Sequence, residues 1–362
     1  MNGTRAYIHG RGLACALGRG VADALETLRR GEAPPQAEQS EAGLRWPYFS
    51  IPSGGNDAAG SSWHQRARGL VREVVAECGP DIDRTGPLFV ASSSLNVGGL
   101  ETGAPFPTDQ QAFVEEVARW LDWRGPVYAV ATACTSALNA LLSARALLDA
   151  EACEHALVLG LELRNQFTSM GFSGMQLIAP GPPRPLDRDR DGLVLGEAVA
   201  ALYLGRQPAR WRVLGGANRI NGANPVGADR HVVAQVIADA LAASGLMPGQ
   251  IGLVKLQAAG SPQNDAEEIA GLHQVFQPLP PLTTYKAALG HTLGASGAAE
   301  LILLLASLES GVWPDATPHA ADPALGARWC EAPAIPPAHV LANILGFGGG
   351  HCCVVVQDTT HR

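Results

Sequence analysis

Short apolar runs alternate along this chain with helical patterns of 10–15 residues, which predicts an α/β protein around a largely parallel central sheet. Two further observations argue for two similar halves. The 362 residues are too many for one small core, and the alternation restarts after Gln207-Pro208. The expected division is residues 1–207 and 208–362. A hydrophobic share of 46% against 17% charged residues supplies a large interior. The 42 glycines spread through the chain and cluster at strand–helix joints, so they do not signal disorder.

In the first half the clearest strand runs are Ala6–Ile8, Leu88–Ala91, Val127–Ala131, Ala156–Leu161 and Ala198–Leu204. They lie between helical stretches at Val21–Arg30, Gln65–Cys78, Gln110–Leu121 and Ser136–Leu148, where apolar residues recur at helical spacing. The second half offers strands Trp211–Leu214, Leu253–Leu256, Val340–Asn343 and His351–Gln357, with helices His231–Ser244, Asp265–Val275 and Gly294–Glu309. Pro- or Gly-rich stretches at 32–55, 178–190 and 313–337 are expected to be surface loops.

A net charge of −8 argues against general nucleic-acid affinity, because phosphate binding needs clustered Lys and Arg. Arg66, Arg68 and Arg72 read as a solvated helix face. The seven cysteines are odd in number and show no CxxC or regular framework, which fits a reducing cytoplasm and neither a disulfide scaffold nor a zinc site. The N-terminus lacks the apolar core of a signal peptide. No run approaches about 18 uninterrupted apolar residues, and Leu301–Ala306 reads as a buried helix segment. A soluble cytoplasmic protein without membrane insertion is the expectation.

Four segments carry chemistry. Cys134 sits where the run Val127–Ala131 gives way to a helix. There the unpaired N–H groups and the helix dipole favour a reactive thiolate, although a free cysteine is as readily a small core residue. In Arg184-Pro-Leu-Asp…Arg190-Asp-Gly…Gly196-Glu197, the acid at Glu197 enters an apolar strand start, where a carboxylate is buried with a partner or holds a loop. Lys286-Ala-Ala-Leu-Gly-His291 precedes a helix from near Gly294, whose N-terminus disfavours a protonated His291. Asn343-Ile-Leu-Gly-Phe-Gly-Gly-Gly350 is a glycine turn between apolar strands, able to aim N–H groups at an oxyanion or simply to turn the chain.

Taken in order, these segments resemble the β-ketoacyl-ACP synthases, the condensing enzymes of the thiolase fold. The resemblance spans nearly the whole chain. It rests on Thr132-Ala-Cys-Thr-Ser136, the Arg184…Glu197 segment, Lys286…Gly290-His291-Thr-Leu-Gly-Ala-Ser-Gly297 and Gly346-Phe-Gly-Gly349, and it matches the elongating branch better than the initiating one. It implies two similar βαβ halves with mixed sheets in αβαβα layers. Cys134 would take an acyl group from a carrier-bound thioester, with the N–H groups of Cys134 and Phe347 as oxyanion hole and Phe347 as gate. His291 would support the enolate formed from a malonyl thioester. Lys286 and Glu300 would hold the charge network, and Ser261, Gly346 and Gly348 would line the substrate path. No metal or resident cofactor is implied, since the phosphopantetheine arm arrives with the acyl carrier protein. The family also implies a homodimer, or a heterodimer with another ketosynthase.

One segment departs from the family. Elongating members carry a second catalytic histidine in a His-Gly-Thr-Gly-Thr type loop, and here the stretch is Leu256-Gln-Ala-Ala-Gly-Ser-Pro-Gln-Asn-Asp265. Matching Gly260 and Asn264-Asp265 puts Ala259 at the histidine position of a loop about two residues short, with Gln257 or Gln263 as a substitute only if the loop redirects it. Two functions follow. One is a ketosynthase-like acyltransferase of fatty acid or polyketide synthesis, impaired by Ala259. The other is a deficient, chain-length-factor-like subunit that partners an active ketosynthase, as in aryl-polyene type pathways.

Overall fold

The computed structural model describes residues 5–31, 35–39, 43–54, 61–103, 109–223, 225–314, 321–333 and 335–361. Ten strands form two five-stranded groups. The first comprises β1 (Tyr7–Cys15), β2 (Leu88–Ala91), β3 (Val127–Val130), β4 (His155–Glu162) and β5 (Ala198–Gly205). The second comprises β6 (Trp211–Ile220), β7 (Leu253–Lys255), β8 (Leu282–Thr283), β9 (His339–Gly346) and β10 (Gly350–Asp358). The first group runs in the order β3-β2-β4-β5-β1 and the second in the order β8-β7-β9-β10-β6. In each, the first three strands are parallel and the last two pair antiparallel.

The same order and the same change of direction therefore occur twice. The two groups join into one sheet where Tyr7 and Ile8 of β1 pair with Arg212 and Trp211 of β6. The sheet is therefore mixed, as the resemblance implies, whereas the alternation of strands and helices alone suggested a largely parallel one. Hydrophobic runs buried on both faces look alike in either direction, so periodicity does not separate the two.

Two helices, Ser136–Asp149 and Ser296–Ser310, pack against strands of both groups and form the central layer. Trp63–Glu77 and Gln110–Trp120 cover the outer face of the first group, and Arg230–Ser244 with Pro262–Val275 cover the second. This is the αβαβα layering of the thiolase-like fold. The apolar core follows the layers: one cluster joins Leu138, Leu141, Leu301 and Leu304 between the sheets, and others lie under each outer pair of helices. The stretch Leu293–Ser310 is long and apolar enough for a membrane span, yet 89% of it is buried inside the protein. A helix apolar all round suits a central layer.

Two sequence expectations change in the first half. The presumed surface loop at 32–55 contains a strand, Arg45–Phe49, whose Trp46, Tyr48 and Phe49 are buried and which pairs with Leu195–Gly196. Positions 32–34, 40–42, 55, 315–320 and 334 of the predicted loops lie outside the described residues. Arg66 is not part of a solvated face: its guanidinium reaches the buried Glu197 carboxylate at 2.6 and 2.7 Å. Glu197 also accepts from the N–H groups of Ile51 and Arg164, so it ties three segments together.

Candidate active site

Cys134 is held by a strained elbow. After β3 the chain turns through Ala133 at φ 51°, a left-handed conformation that disfavours a side chain, and through a 3₁₀ turn, Ala133–Thr135, into the central helix. Ser136 Oγ locks the turn by accepting from the Thr132 N–H at 2.9 Å and donating to the Ala133 carbonyl at 2.6 Å. The thiol faces a small cavity whose wall includes Phe172, Gln257, Ala259, His291 and Phe347.

His291 comes from the other half. Its backbone is pinned by the N–H bond to the Val194 carbonyl, and its own carbonyl accepts from Gly196. Nε2 lies 3.1 Å from Cys134 Sγ, and Nδ1 lies 3.0 Å from Ser296 Oγ. In the tautomer with Nδ1–H donating to Ser296, Nε2 is free to accept the thiol proton. The imidazole is held well below its ordinary pKa by burial, then by the nearby Lys286 and Lys255 ammoniums. The expected neutral ring is therefore present, but burial and charge produce it, not a helix terminus alone.

The expected thiolate is not present. Complete burial pushes the Cys134 thiol up to about 11, against the lowering effects of the Phe347 N–H, Lys286 and Cys134's own N–H. Removing a charge from water outweighs the dipole here. Those two N–H groups nonetheless sit against the sulfur, where an oxyanion would form.

Glu300 is fully buried between two ammoniums, paired with Lys286 and lying 3.1 Å from Lys255 Nζ. Burial lowers the Lys255 pKa despite its partner. Lys255 was missed in the sequence, though a lysine inside the short apolar run Leu253–Leu256 is itself a signal. Glu268, also missed, accepts from the N–H groups of Gln257 and Ala258 at 2.7 and 2.8 Å and from Asn343 Nδ2 at 2.6 Å. Asp265 accepts from the N–H groups of Ala259, Gly260 and Leu186. Burial raises both carboxyl pKa values.

These bonds fix the 257–260 loop, and the side chain it sends toward His291 is Gln257, with Nε2 3.5 Å from His291 Nε2. Ala259 lies two residues further on in the cavity wall. From this loop it is thus Gln257, and not Ala259, whose side chain faces His291. Gly260, at φ 95°, leaves no room for a side chain, since an added Cβ would meet the Gly192 carbonyl at 2.5 Å.

The glycine turn is a 3₁₀ turn, Phe347–Gly349, between β9 and β10. Gly346 and Ser261 line the cavity. Gly348 does not: its N–H donates to the Pro225 carbonyl at 2.7 Å, and it borders a separate open depression. The Phe347 ring stacks on Phe172 with centroids 5.0 Å apart, on a helix, Gln166–Gly174, absent from the sequence reading.

Family models for the β-ketoacyl synthase N-terminal and C-terminal domains match residues 95–209 and 213–319. The chain belongs to the β-ketoacyl synthase family. It is 31% identical over 248 residues to the polyketide synthase ThaG of Burkholderia thailandensis, covering 63% of this chain but 4% of that protein. It is also 31% identical over 202 residues to 3-oxoacyl-[acyl-carrier-protein] synthase 2 of Mycobacterium leprae, covering 51% of this chain and 48% of the relative. The chain thus spans less than half of either. Among solved structures, a chain of the ketosynthase ApeO in complex with its chain length factor ApeC from Xenorhabdus doucetiae superimposes with a TM-score of 0.87. That match has 23% identity and covers 98% of both chains, a likeness of fold.

Proposed function

We propose that this β-ketoacyl synthase family member is an acyltransferase of fatty acid or polyketide synthesis, with Cys134 as the acyl acceptor. The observation that carries the reading is the 3.1 Å contact between a buried thiol and a neutral imidazole, with two backbone N–H groups beside the sulfur. Sγ attacks the thioester carbonyl of an acyl group delivered on phosphopantetheine, and its proton passes to His291 Nε2. The N–H groups of Cys134 and Phe347 hold the oxyanion. Collapse forms the Cys134 thioester, and the carrier thiol leaves with the proton from His291. A buried thiol at about 11 needs this coupled transfer, because little thiolate stands ready. Condensation with a malonyl unit on an acyl carrier protein follows in the same cavity.

The open edge of β3 supports a paired subunit, which is the arrangement that a second reading, a chain-length-factor-like subunit beside an active ketosynthase, also requires. β3 is the edge strand of its group, with Tyr128 exposed, beside an open depression that includes Thr132, Asn218 and Ile220. A partner strand, from a copy or from another ketosynthase, would satisfy that edge.

Intact-mass measurement after incubation with hexanoyl-loaded acyl carrier protein tests the first reading. The wild type gains one acyl group and Cys134→Ala gains none. Acylation of another cysteine, or none in the wild type with or without a partner ketosynthase, would overturn it.

A further inference from the structure

We propose that Lys255 is a positioning residue for the Cys134–His291 pair: as an ammonium it shares the Glu300 carboxylate with Lys286 and weakens His291 as a base, and on losing its proton it lifts that restraint. The inference rests on the acyl-transfer reading above for the step it controls, but concerns a residue that takes no direct part in that step. The sequence holds 26 Lys and Arg residues, and only Lys255 and Lys286 are lysine. The fold brings these two together. Each is 1% exposed, and both reach the fully buried Glu300, Lys286 at Oε1 and Lys255 at Oε2 with Nζ 3.1 Å away. One carboxylate thus answers two buried ammoniums, which is unfavourable unless one of them can discharge. A lysine can do so, whereas an arginine stays charged in a protein.

The other titratable groups near Lys255 are Glu268 on the helix Pro262–Val275 and the Cys353 thiol on β10. Burial raises Glu268 to about 7, so near neutrality it supplies only part of the missing charge. Burial also pulls the Lys255 ammonium down to about 8, against the attraction of Glu300 and with the repulsion of Lys286. The surplus charge acts on one member of the reacting pair. After burial itself, Lys286 and Lys255 are what hold the His291 imidazole down. The leading charges at the Cys134 thiol are instead Lys286 and Glu162. Lys255 therefore weakens the base without strengthening the acid. When Nζ gives its proton to solvent, the neutral amine still donates an N–H to Glu300, so the side chains keep their places while the field at His291 falls. Nε2 then takes the Cys134 proton more readily.

The test uses the full chain labelled with 13C at lysine Cε, which gives two NMR signals, and Lys255→Met removes one and so assigns both. The Lys255 signal should titrate with a midpoint near about 8. The ring 15N signals of His291, assigned with His291→Asn, should move with it. Acylation of Cys134 from hexanoyl-loaded acyl carrier protein, timed by intact mass, gives the second readout. Lys255→Met should acylate about three- to tenfold faster than the wild type at about pH 6.5 and equally fast at about pH 9.5, the effect of strengthening a base by about one pH unit. Lys255→Arg should match the wild type at the lower pH and fall behind by the same factor at the higher, because a guanidinium does not ionise there. A Lys255→Met protein, folded by circular dichroism, whose rate relative to the wild type does not change with pH overturns the proposal, as does a Lys255 signal that does not titrate below about pH 10. If none of the proteins takes up an acyl group, the acyl-transfer reading falls and the His291 signals decide: movement with Lys255 upholds the coupling, and stationary signals overturn it.

Discussion

Two elbows of this molecule have the same backbone and opposite chemistry. Thr132-Ala-Cys-Thr-Ser136 and Thr292-Leu-Gly-Ala-Ser296 each place a left-handed residue second, Ala133 at φ 51° and Leu293 at φ 47°. Each runs through a 3₁₀ turn into a central helix that starts at a serine. At the first elbow the third residue is Cys134, facing a cavity. At the second it is Gly294, whose N–H donates to Glu162 Oε2 at 2.8 Å. The Glu162 carboxylate also accepts from Ser92 Oγ, Ser94 Oγ and the N–H groups of Ser93 and Ser94. A resident carboxylate thus occupies at Gly294 the place that at the first elbow faces the cavity. The repeated turn sets up a donor, and what surrounds it decides whether that donor serves structure or reaction.

The largest expected contrast is in reactivity at the first elbow. A thiol raised to about 11 is the protonated form at neutrality and gives up its proton only as pH rises. Alkylation of Cys134 by iodoacetamide should therefore climb roughly tenfold per pH unit, by about 10⁴ between pH 7 and 11. The half-exposed Cys153 should react first at pH 7. Peptide mapping by mass would show this, and a plateau for Cys134 near neutrality would mean that the thiol is activated despite its burial. This reverses the order that the helix terminus alone suggests.

At the second elbow the contrast is in stability. Glu162→Ala strands five buried or part-buried donors and should destabilise the protein by about 4 kcal/mol, read from urea unfolding. An effect below about 1 kcal/mol would show that the carboxylate is not the plug. Gly294→Ala should cost somewhat less, about 2–3 kcal/mol, because the new Cβ would lie 2.6 Å from the Ser93 nitrogen and 2.7 Å from the Ser92 carbonyl carbon. A neutral result there would mean that the two elbows are less alike in packing than in backbone.

Much of this was legible beforehand, for physical reasons. Long apolar or amphipathic segments, such as Ala198–Gly205 and Ser296–Ser310, announce themselves by composition and period. Cys134, Lys286, His291 and the glycine turn were legible as chemistry because each is reactive, charged or turn-borne in a setting that seldom carries one, whereas Glu300 and Phe347 came only with the family resemblance. The two-residue strand Leu282–Thr283 was not, since it is too short for any period to show.

By itself, then, the sequence determined the α/β class, the longer strands and helices and most of the reactive residues that meet in the cavity. These depend on local pattern and on residue type. Only the tertiary structure decided which strands run antiparallel, the protonated state of Cys134, the Arg66–Glu197 pair, the shared Glu300 of Lys255 and Lys286, and that Gln257 is the loop side chain facing His291. Each depends on distance and burial between segments remote in the chain. Burial in particular sets the charge of a group through the water removed around it, which no spacing along the chain records.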